Sequence, residues 1–328
     1  MKRNSAVKVV LFIVVFLLIV SCASCRRQER RPAPGPAPLK IPESISRGQG
    51  KEPVLKVYIK ETGEIKELPF EEYLQGVVAG EMKNDWPEEA LAAQAILART
   101  FVMEFVSEKG GSKYEGAHVS TDIEEAQAWN QQAVNDRVKR AVKRTRGEVA
   151  VYNNNYIKAW FHAHAGGKTA SAKEGLAFKE AEPPYIKVTD SPDSPEAPKD
   201  DSSWTVSFTR QEVERALSEM GNETKGLSSA RIAEKGPSGR AVTLDFNGIK
   251  VSAPEFRVAI GSTKMKSTLI DSIEVSGQKL VIKGRGYGHG VGMSQWGAYA
   301  LAKEGKKAEE IVDYYFKGIE ILKAWEEE

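Results

Sequence analysis

Glu81 is the residue in this sequence best suited to trade a proton. It sits in Val78-Ala79-Gly80-Glu81-Met82, with Trp86 close behind. A carboxylic acid among such neighbours is partly desolvated, which disfavours its charged form and lifts it from about 4.3 towards the range useful to a general acid. A nearby helix N-terminus pulls the other way. Taken alone, the segment reads more simply as a solvated glutamate in a loop between helices. A second dense stretch is Ala159-Trp160-Phe161-His162-Ala163-His164-Ala165-Gly166-Gly167-Lys168-Thr169. His162 and His164 are spaced i, i+2, which on a strand puts both on one face. Two histidines can begin a metal site, with His118 as the obvious third ligand. More often such a pair binds a ligand or packs, and no metal or other cofactor is expected.

The third stretch runs from Gly284 to Ala298 and holds Tyr287, His289, Gln295 and Trp296 between glycines. Its glycines permit tight turns and close approach of a ligand. It lacks a Gly-Lys-Ser/Thr ending and a dinucleotide-binding pattern, so nucleotides fit poorly. Sugars fit better: aromatic faces stack on C–H surfaces while imidazole and amide groups bond hydroxyls. The competing reading is a structural turn around a buried Trp296.

These residues must be carried by a mixed set of elements. Val54–Ile59 alternates like a strand and Thr62-Gly63 turns it into a hairpin with 65–68. Pro69 starts a short helix that Gly80 is expected to interrupt. Asp85 is expected to cap the next helix, with Pro87 first and Glu88 completing a capping box. Leu91, Ala95, Ala98, Val102 and Phe105 follow at helical spacing, with Ala92, Ala93 and Ala95 allowing a close neighbour, and Gly110-Gly111 ends the helix. Residues 149–152 and 156–161 read as strands joined by Asn153-Asn154-Asn155. Thr209 and Glu212 form another capping box. Hairpins are expected around Asn247-Gly248 and Ser276-Gly277. Helices over 294–303 and 308–316 close the chain. Strands and helices mix without strict alternation, which predicts an α+β fold in one large or two intimately packed subdomains over 51–328.

The chain ends bound the setting. The sequence has 328 residues, is 41% apolar and carries a net charge of +2. A folded core is expected, and a nucleic-acid partner is not. Lys2, Arg3 and Lys8 precede the apolar run 9–20, a signal-like segment too short for a comfortable span. It ends Ile19-Val20-Ser21-Cys22, similar to a lipobox, so residues 1–22 read as a signal peptide with lipid on Cys22. An uncleaved signal anchor is the alternative. Either way the rest lies outside the cytoplasmic membrane. Cys22 and Cys25 are the only cysteines, so the folded part has no disulfide and no thiolate ligand. Residues 23–50, rich in Pro, Arg, Ser and Gly, read as a spacer.

Read together, the three stretches resemble the SpoIID/LytB family of sporulation and cell-wall proteins. The motifs are Tyr-Leu-x-Gly-Val-Val-Ala-Gly-Glu-Met over 73–82, Trp-Pro-x-Glu-Ala-Leu-x-Ala-Gln-Ala over 86–95 with Ala98-Arg99-Thr100, Phe-His-x-x-x-Gly-Gly-Lys-Thr over 161–169, and Gly-x-Gly-x-Gly-His-Gly-Val-Gly-Met-Ser-Gln-x-Gly-Ala over 284–298. The resemblance spans roughly 54–323. It implies a lytic transglycosylase acting on peptidoglycan strands that lack stem peptides, during engulfment in endospore formers. The implied partners are an amidase of the SpoIIP kind and a membrane protein of the SpoIIM kind. It implies that Glu81 is the catalytic residue. Other members are amidase enhancers or wall-binding proteins. Some clostridial members hold zinc with two cysteines where this chain has Ser120 and Ala126, so a zinc site of that kind is not expected.

Hydrolytic glycosidases generally use two carboxylates. A lytic transglycosylase works with one, because the muramic C6 hydroxyl is the nucleophile. His162, His164, Tyr287, His289 and Gln295 are the residues expected to grip the strand. Two other classes remain: a wall-binding scaffold, which would not need Glu81, and a metal hydrolase built on His118, His162 and His164.

Overall fold

A computed structural model describes residues 39–48, 50–224 and 226–326. The signal-like segment, Cys22, Cys25 and residues 23–38 lie outside the described residues. The fold is α+β, as the sequence predicts, with five small sheets and interleaved helices among the described residues.

Strands β1 (Val54–Ile59) and β2 (Glu64–Pro69) form the expected antiparallel hairpin, and β3 (Val119–Ser120) joins β1 in parallel. Helix α1 (Phe70–Glu81) leads to α2 (Glu88–Lys109), then α3 (Asp136–Arg144). Strand β4 (Glu148–Tyr152) pairs with β5 (Asn155–Tyr156) across Asn153 and Asn154, both at positive φ. Strand β6 (Phe161–His162) and the short helix α4 (Ala172–Leu176) follow. After an inserted lobe, β13 (Met293–Ser294) lies parallel to β6, and α8 (Gln295–Lys303), α9 (Ala308–Tyr315) and β14 (Glu320–Lys323) complete the main body. β14 covers the other edge of β4.

Helix α2 is the centre of this body. Every residue from Ala90 to Thr100 is buried, because α1, α3, β4, α8 and α9 all pack on it. A helix apolar on every side belongs inside. By length and composition it could cross a bilayer, yet 83% of its apolar window is buried within the protein, which makes it a core helix. Gly110 ends it in the left-handed conformation.

The inserted lobe has its own core, around Phe208, Leu217, Leu244, Phe246, Phe256 and Leu280. It opens with the turn α5 (Lys199–Ser202), followed by β7 (Trp204–Thr209) and α6 (Arg210–Glu219), capped by the expected Thr209–Glu212 box. Strands β8 (Ala230–Lys235), β9 (Ala241–Phe246) and β10 (Ile249–Ser252) make one sheet. Helix α7 (Ala253–Ile260) follows, and β11 (Ile270–Ser276) and β12 (Lys279–Gly284) pair with β7 in a second sheet. Both hairpins stand where expected. A buried Glu174 on α4 ties the lobe to the body: it accepts from Ser238 Oγ at 2.7 Å and from the Arg240 N–H at 3.1 Å.

Four expectations are corrected. Gly80 does not break α1, which runs through Glu81 before Met82 turns extended. Asp85 does not cap α2: Pro87 is the cap residue without a side-chain bond, and Glu88 instead pairs with Arg140 at 3.0 Å. Residues 156–161 are not one strand; β5 and β6 belong to different sheets. The spacer does not extend to residue 50. Ile45 is 2% exposed in the main core, Leu39 and Ile41 pack against it, and Gly50 bridges Trp325. Three aliphatic side chains among the prolines are enough to hold that stretch by burial.

Candidate functional site

Helix α1 carries Glu81 in its last turn, and a notch in the same helix brings the carboxylate its partner. Gly76 and Gly80 lie one turn apart. A Cβ on Gly80 would stand 2.7 Å from the Ala128 carbonyl carbon, and one on Gly76 only 2.2 Å from the Trp129 indole nitrogen. The segment 127–129 therefore crosses directly over the helix. The Asn130 N–H donates to the Gly76 carbonyl at 2.9 Å, and the Ala128 N–H donates to Glu81 Oε1 at 2.7 Å.

That crossing segment is fastened from behind. Asp122 accepts from Lys60 Nζ at 2.6 Å, Tyr114 OH at 2.8 Å and Lys113 Nζ at 3.0 Å. These donors hold its carboxyl well below the usual carboxylate range. Glu125 accepts from Ser112 Oγ at 2.6 Å and from Ser120 Oγ. Ser120 is thus part of a hydrogen-bonded clasp.

The other oxygen of Glu81 faces Gln295 Nε2 at 3.5 Å, the first residue of α8. The same amide lies 3.5 Å from Gln94 Oε1 on α2. Glu81 is half-buried. Burial pushes it up to about 7, against the opposing pull of the Ala128 N–H and the Gln295 amide. Beside it, Trp86 and Trp296 pack with ring centroids 4.4 Å apart, and Lys83 Nζ sits 5.6 Å over Trp296. Behind it, the Tyr73 hydroxyl is buried without a hydrogen-bond partner among the described residues. Burial and the Glu81 charge hold that phenol well above its ordinary value.

The remaining sequence-predicted residues form a second group. β6 and β13 pair His162 with Ser294, the neighbour of Gln295. His162 is 4% exposed; its Nδ1 meets the Val291 carbonyl at 3.2 Å, which places the proton there and leaves Nε2 as a buried acceptor without a partner among the described residues. Burial keeps this ring neutral. His289 packs against it with ring centroids 5.6 Å apart. The Val291 N–H donates to His289 Nδ1 at 3.0 Å and the Phe161 carbonyl takes the other side of the ring. Desolvation and the charges of Arg257 and Arg240 push His289 down to about 3. Both of its nitrogens therefore serve the backbone. His164 points elsewhere. Its Nδ1 accepts from the Gly166 N–H at 3.0 Å, and its backbone pairs with Tyr287. Asp193 Oδ2 lies 3.4 Å from that nitrogen, but burial lowers His164 and the lone pair is already in use, so this is no ion pair. Tyr287 is half-buried with Lys266 Nζ 5.1 Å over its ring.

His118 stands apart, on the first sheet, where Nδ1 accepts from the Lys56 N–H at 2.9 Å. Among the described residues no group of three His, Cys, Asp or Glu side chains is arranged to hold a metal ion. The trio of His118, His162 and His164 is not assembled.

Several participants carried no role in the sequence reading. Gln94 lay inside a quoted motif, and the Gly76/Gly80 spacing was the visible sign of the crossing segment. Asp193 had no signal: it accepts from Ser294 Oγ at 2.6 Å and from the Gly167 N–H at 2.9 Å, and so fixes the turn that presents Gln295. The glycines of the third stretch fit protein rather than ligand. A Cβ on Gly288 would meet His162 Cβ at 2.7 Å, and one on Gly292 the Trp160 carbonyl oxygen at 2.0 Å.

Comparison with known proteins adds independent information. The family model described as stage II sporulation protein, SpoIID, matches residues 58–152, which hold Glu81, Gln94 and the crossing segment. A second model, described as a domain of unknown function (DUF8618), matches residues 179–292, which include the inserted lobe. The chain is 31% identical to the stage II sporulation protein D of Bacillus subtilis (strain 168), over 82% of this chain and 79% of that protein. It is 30% identical to the stage II sporulation protein D of Bacillus amyloliquefaciens, over 87% and 85%. It is 29% identical to the amidase enhancer of Bacillus subtilis (strain 168), over 75% of this chain but 39% of that longer protein.

Proposed function

Because the chain belongs to the stage II sporulation protein D family, we propose that it is a peptidoglycan lytic transglycosylase acting on peptide-free glycan, with Glu81 as both acid and base. The observation that carries the proposal is a single half-buried carboxyl poised at about 7, whose hydrogen-bond partners are a backbone N–H and an amide. Neither partner is a carboxylate. One group near neutrality can be protonated for the first step and ionised for the second.

The steps balance on that one residue. Glu81 donates its proton to the glycosidic oxygen as the muramic C1–O bond breaks, and the glucosamine 4-hydroxyl leaves. The resulting carboxylate takes the proton of the muramic C6 hydroxyl as that oxygen bonds to C1. The products are a 1,6-anhydromuramyl end and a new 4-hydroxyl end, with no water consumed. Intramolecular attack provides the positioning advantage. The Gln295 amide beside Glu81 is suited to bonding a sugar hydroxyl; Trp86 and Trp296, buried against each other, and the enclosed Nε2 of His162 support the site from within.

The setting we propose is outside the cytoplasmic membrane, tethered at Cys22, in sporulation or wall remodelling. An amidase that strips stem peptides would supply the substrate, and a SpoIIM-like membrane protein would share the assembly. The likeness to an amidase enhancer favours one competing reading, a wall-binding scaffold that promotes such an amidase.

Incubation of purified protein with peptide-free glycan, with products read by mass spectrometry, tests the proposal. Wild type is expected to release 1,6-anhydromuramyl ends, and Glu81→Gln to lose about 10²-fold or more of that activity while still binding glycan. Full activity in Glu81→Gln refutes the role of this residue. Reducing ends as the main product identify a hydrolase, and binding without cleavage in wild type supports the scaffold.

A further inference from the structure

The inserted lobe brings a cation to the third motif that the reaction itself does not use. Arg257, on α7, forms no ion pair among the described residues; its hydrogen bonds go to two carbonyls, Lys266 O at 3.1 Å and Ser262 O at 3.0 Å. The Lys266 carbonyl also accepts from the Gly288 N–H at 2.9 Å. One oxygen thus binds both the guanidinium and the backbone between Tyr287 and His289. Lys266 Nζ, held by Asp201 Oδ1 at 3.2 Å, stands over the Tyr287 ring. Arg257, Tyr287 and His289 are all half-buried, so solvent reaches the group.

A guanidinium fixed through two of its donors, with no carboxylate of its own, is an incomplete pair. Its planar fork matches a carboxylate, and such charge-assisted bonds are the strong ones. Desolvation already pulls Arg257 down to about 10, an environment in which a bound anion is welcome. The lobe as a whole leans the same way: residues 204–290 include 13 Lys and Arg against 9 Asp and Glu. The group is also on the same track as Glu81. Gln295 reaches Glu81, its neighbour Ser294 pairs with His162, and His162 packs on His289.

We infer that Arg257, seated against Tyr287 and Gly288, is a carboxylate subsite that takes the free lactyl group of a muramoyl residue on the bound strand. This rests on the glycan reading proposed above and deepens it. The lactyl carboxylate is anchored to the sugar ring, so its position along a bound strand is fixed. A stem peptide converts that group into an amide, which removes the charge and adds bulk. Arg257 therefore distinguishes stripped strands from peptide-bearing ones, and the inserted lobe is the part of the protein that makes the distinction. Tyr287 supplies a wall and a hydroxyl beside the same group.

The test uses binding, so that cleavage is not needed. Full-length Glu81→Gln protein is titrated calorimetrically with peptide-free muramoyl–glucosaminyl oligosaccharides, and with the same oligosaccharides whose lactyl groups have been converted to methylamides. The free acids are expected to bind about tenfold tighter or better, the loss of one charged contact. Adding Arg257→Gln brings the two affinities together. Arg257→Lys restores part of the difference, and Tyr287→Phe, which leaves the guanidinium in place, reduces it less. Thermal unfolding confirms that each variant is folded, and the lysine and phenylalanine variants decide the matter if Arg257→Gln is not. Equal affinity for both ligands, or discrimination that survives in Arg257→Gln, overturns the subsite. Failure of both ligands to bind overturns the glycan reading with it. Discrimination in a protein whose wild type cleaves nothing would spare the subsite and refute the reaction.

Discussion

Replacing Glu81 with Gln is expected to make the protein more stable, and only at neutral to alkaline pH. Burial raises this carboxyl from 4.5 to about 7 in the folded chain, against the partial relief given by the Ala128 N–H and Gln295. In the unfolded chain the group titrates near its ordinary value. Below pH 4.5 both states are protonated and the residue costs nothing electrostatically. Between pH 4.5 and 7 the unfolded state gives up its proton while the folded state keeps it, so stability falls as pH rises; above 7 the loss is complete. Each pH unit between the two midpoints is worth 1.36 kcal/mol, which sets the full loss at about 3 kcal/mol. Glutamine keeps an oxygen for the Ala128 N–H and has nothing to ionise. At pH 8 the variant should therefore exceed wild type by up to about 3 kcal/mol, or roughly 5 °C and more in Tm. At pH 4.5 the two should coincide. Differential scanning calorimetry of both proteins at the two pH values measures this without any substrate. An equal gap at both pH values, or no gap at pH 8, would refute a carboxyl held near 7 and with it the basis for assigning both proton transfers to Glu81.

Three further outcomes are expected. Gly80→Ala puts a Cβ 2.7 Å from the Ala128 carbonyl carbon. It should push segment 127–129 outward, weaken the Ala128 bond to Glu81 and move the alkaline limb of the pH–rate profile upward, with overpacking (about 1–3 kcal/mol) outweighing the roughly 1 kcal/mol gained in helix propensity; an unchanged profile would show that this N–H does not tune the acid. Arg99→Met strands Glu71, which accepts from Arg99 Nη2 at 2.7 Å and Nε at 3.1 Å inside the core; denaturant titration should register a loss of about 3–5 kcal/mol, and a loss under 1 kcal/mol would contradict a buried pair. Cys22→Ala should abolish lipid labelling and membrane recovery, and unchanged fractionation would favour the signal anchor.

The legible parts were those written in residue type and period. The hairpins at Asn247-Gly248 and Ser276-Gly277, the Thr209 box and the long core helix all announce themselves locally. Glu81 does not: taken alone its segment reads as a solvated glutamate in a loop, and only the family motif singles it out. What the sequence hid depends on chain crossings. The donor to Glu81 is a backbone N–H 47 residues away, and a backbone group has no residue signature; only the Gly76/Gly80 spacing hinted that something must lie there. α3 escaped because only Val138, Ala141 and Val142 are buried in a run of nine otherwise charged positions. The expectation that His162 and His164 share a face assumed a regular strand, and β6 is two residues long. Asp85 looked like a cap, but Pro87 fixed the helix start instead.

The polar residues around the site divide into those that face Glu81 and those that hold the elements facing it, a division that suits the proposed use of one carboxyl for two transfers. With two carboxylates, each can be tuned separately. On the proposed reaction a single group would have to sit near 7 and meet both the glycosidic oxygen and the C6 hydroxyl, so its surroundings would have to be fixed from several sides. Three elements do this: α1 carries the side chain, segment 127–129 supplies the N–H, and α8 supplies the amide. Each is pinned by buried polar bonds of its own. Arg99, Gly147 N–H and Trp325 Nε1 converge on Glu71 at the start of α1. Asp122 and Glu125 clasp the crossing segment. Asp193 holds Ser294 at the start of α8. Buried polar networks of this kind are rigid when fully satisfied. A loosened clasp would let water reach the carboxyl and bring it back towards 4.5, where at neutral pH it could accept the C6 proton but no longer donate the first one. On the proposed reaction the Ala-Arg-Thr and Gly-Gly-Lys-Thr motifs would bear on the chemistry through these supports, by keeping one glutamate half-dry.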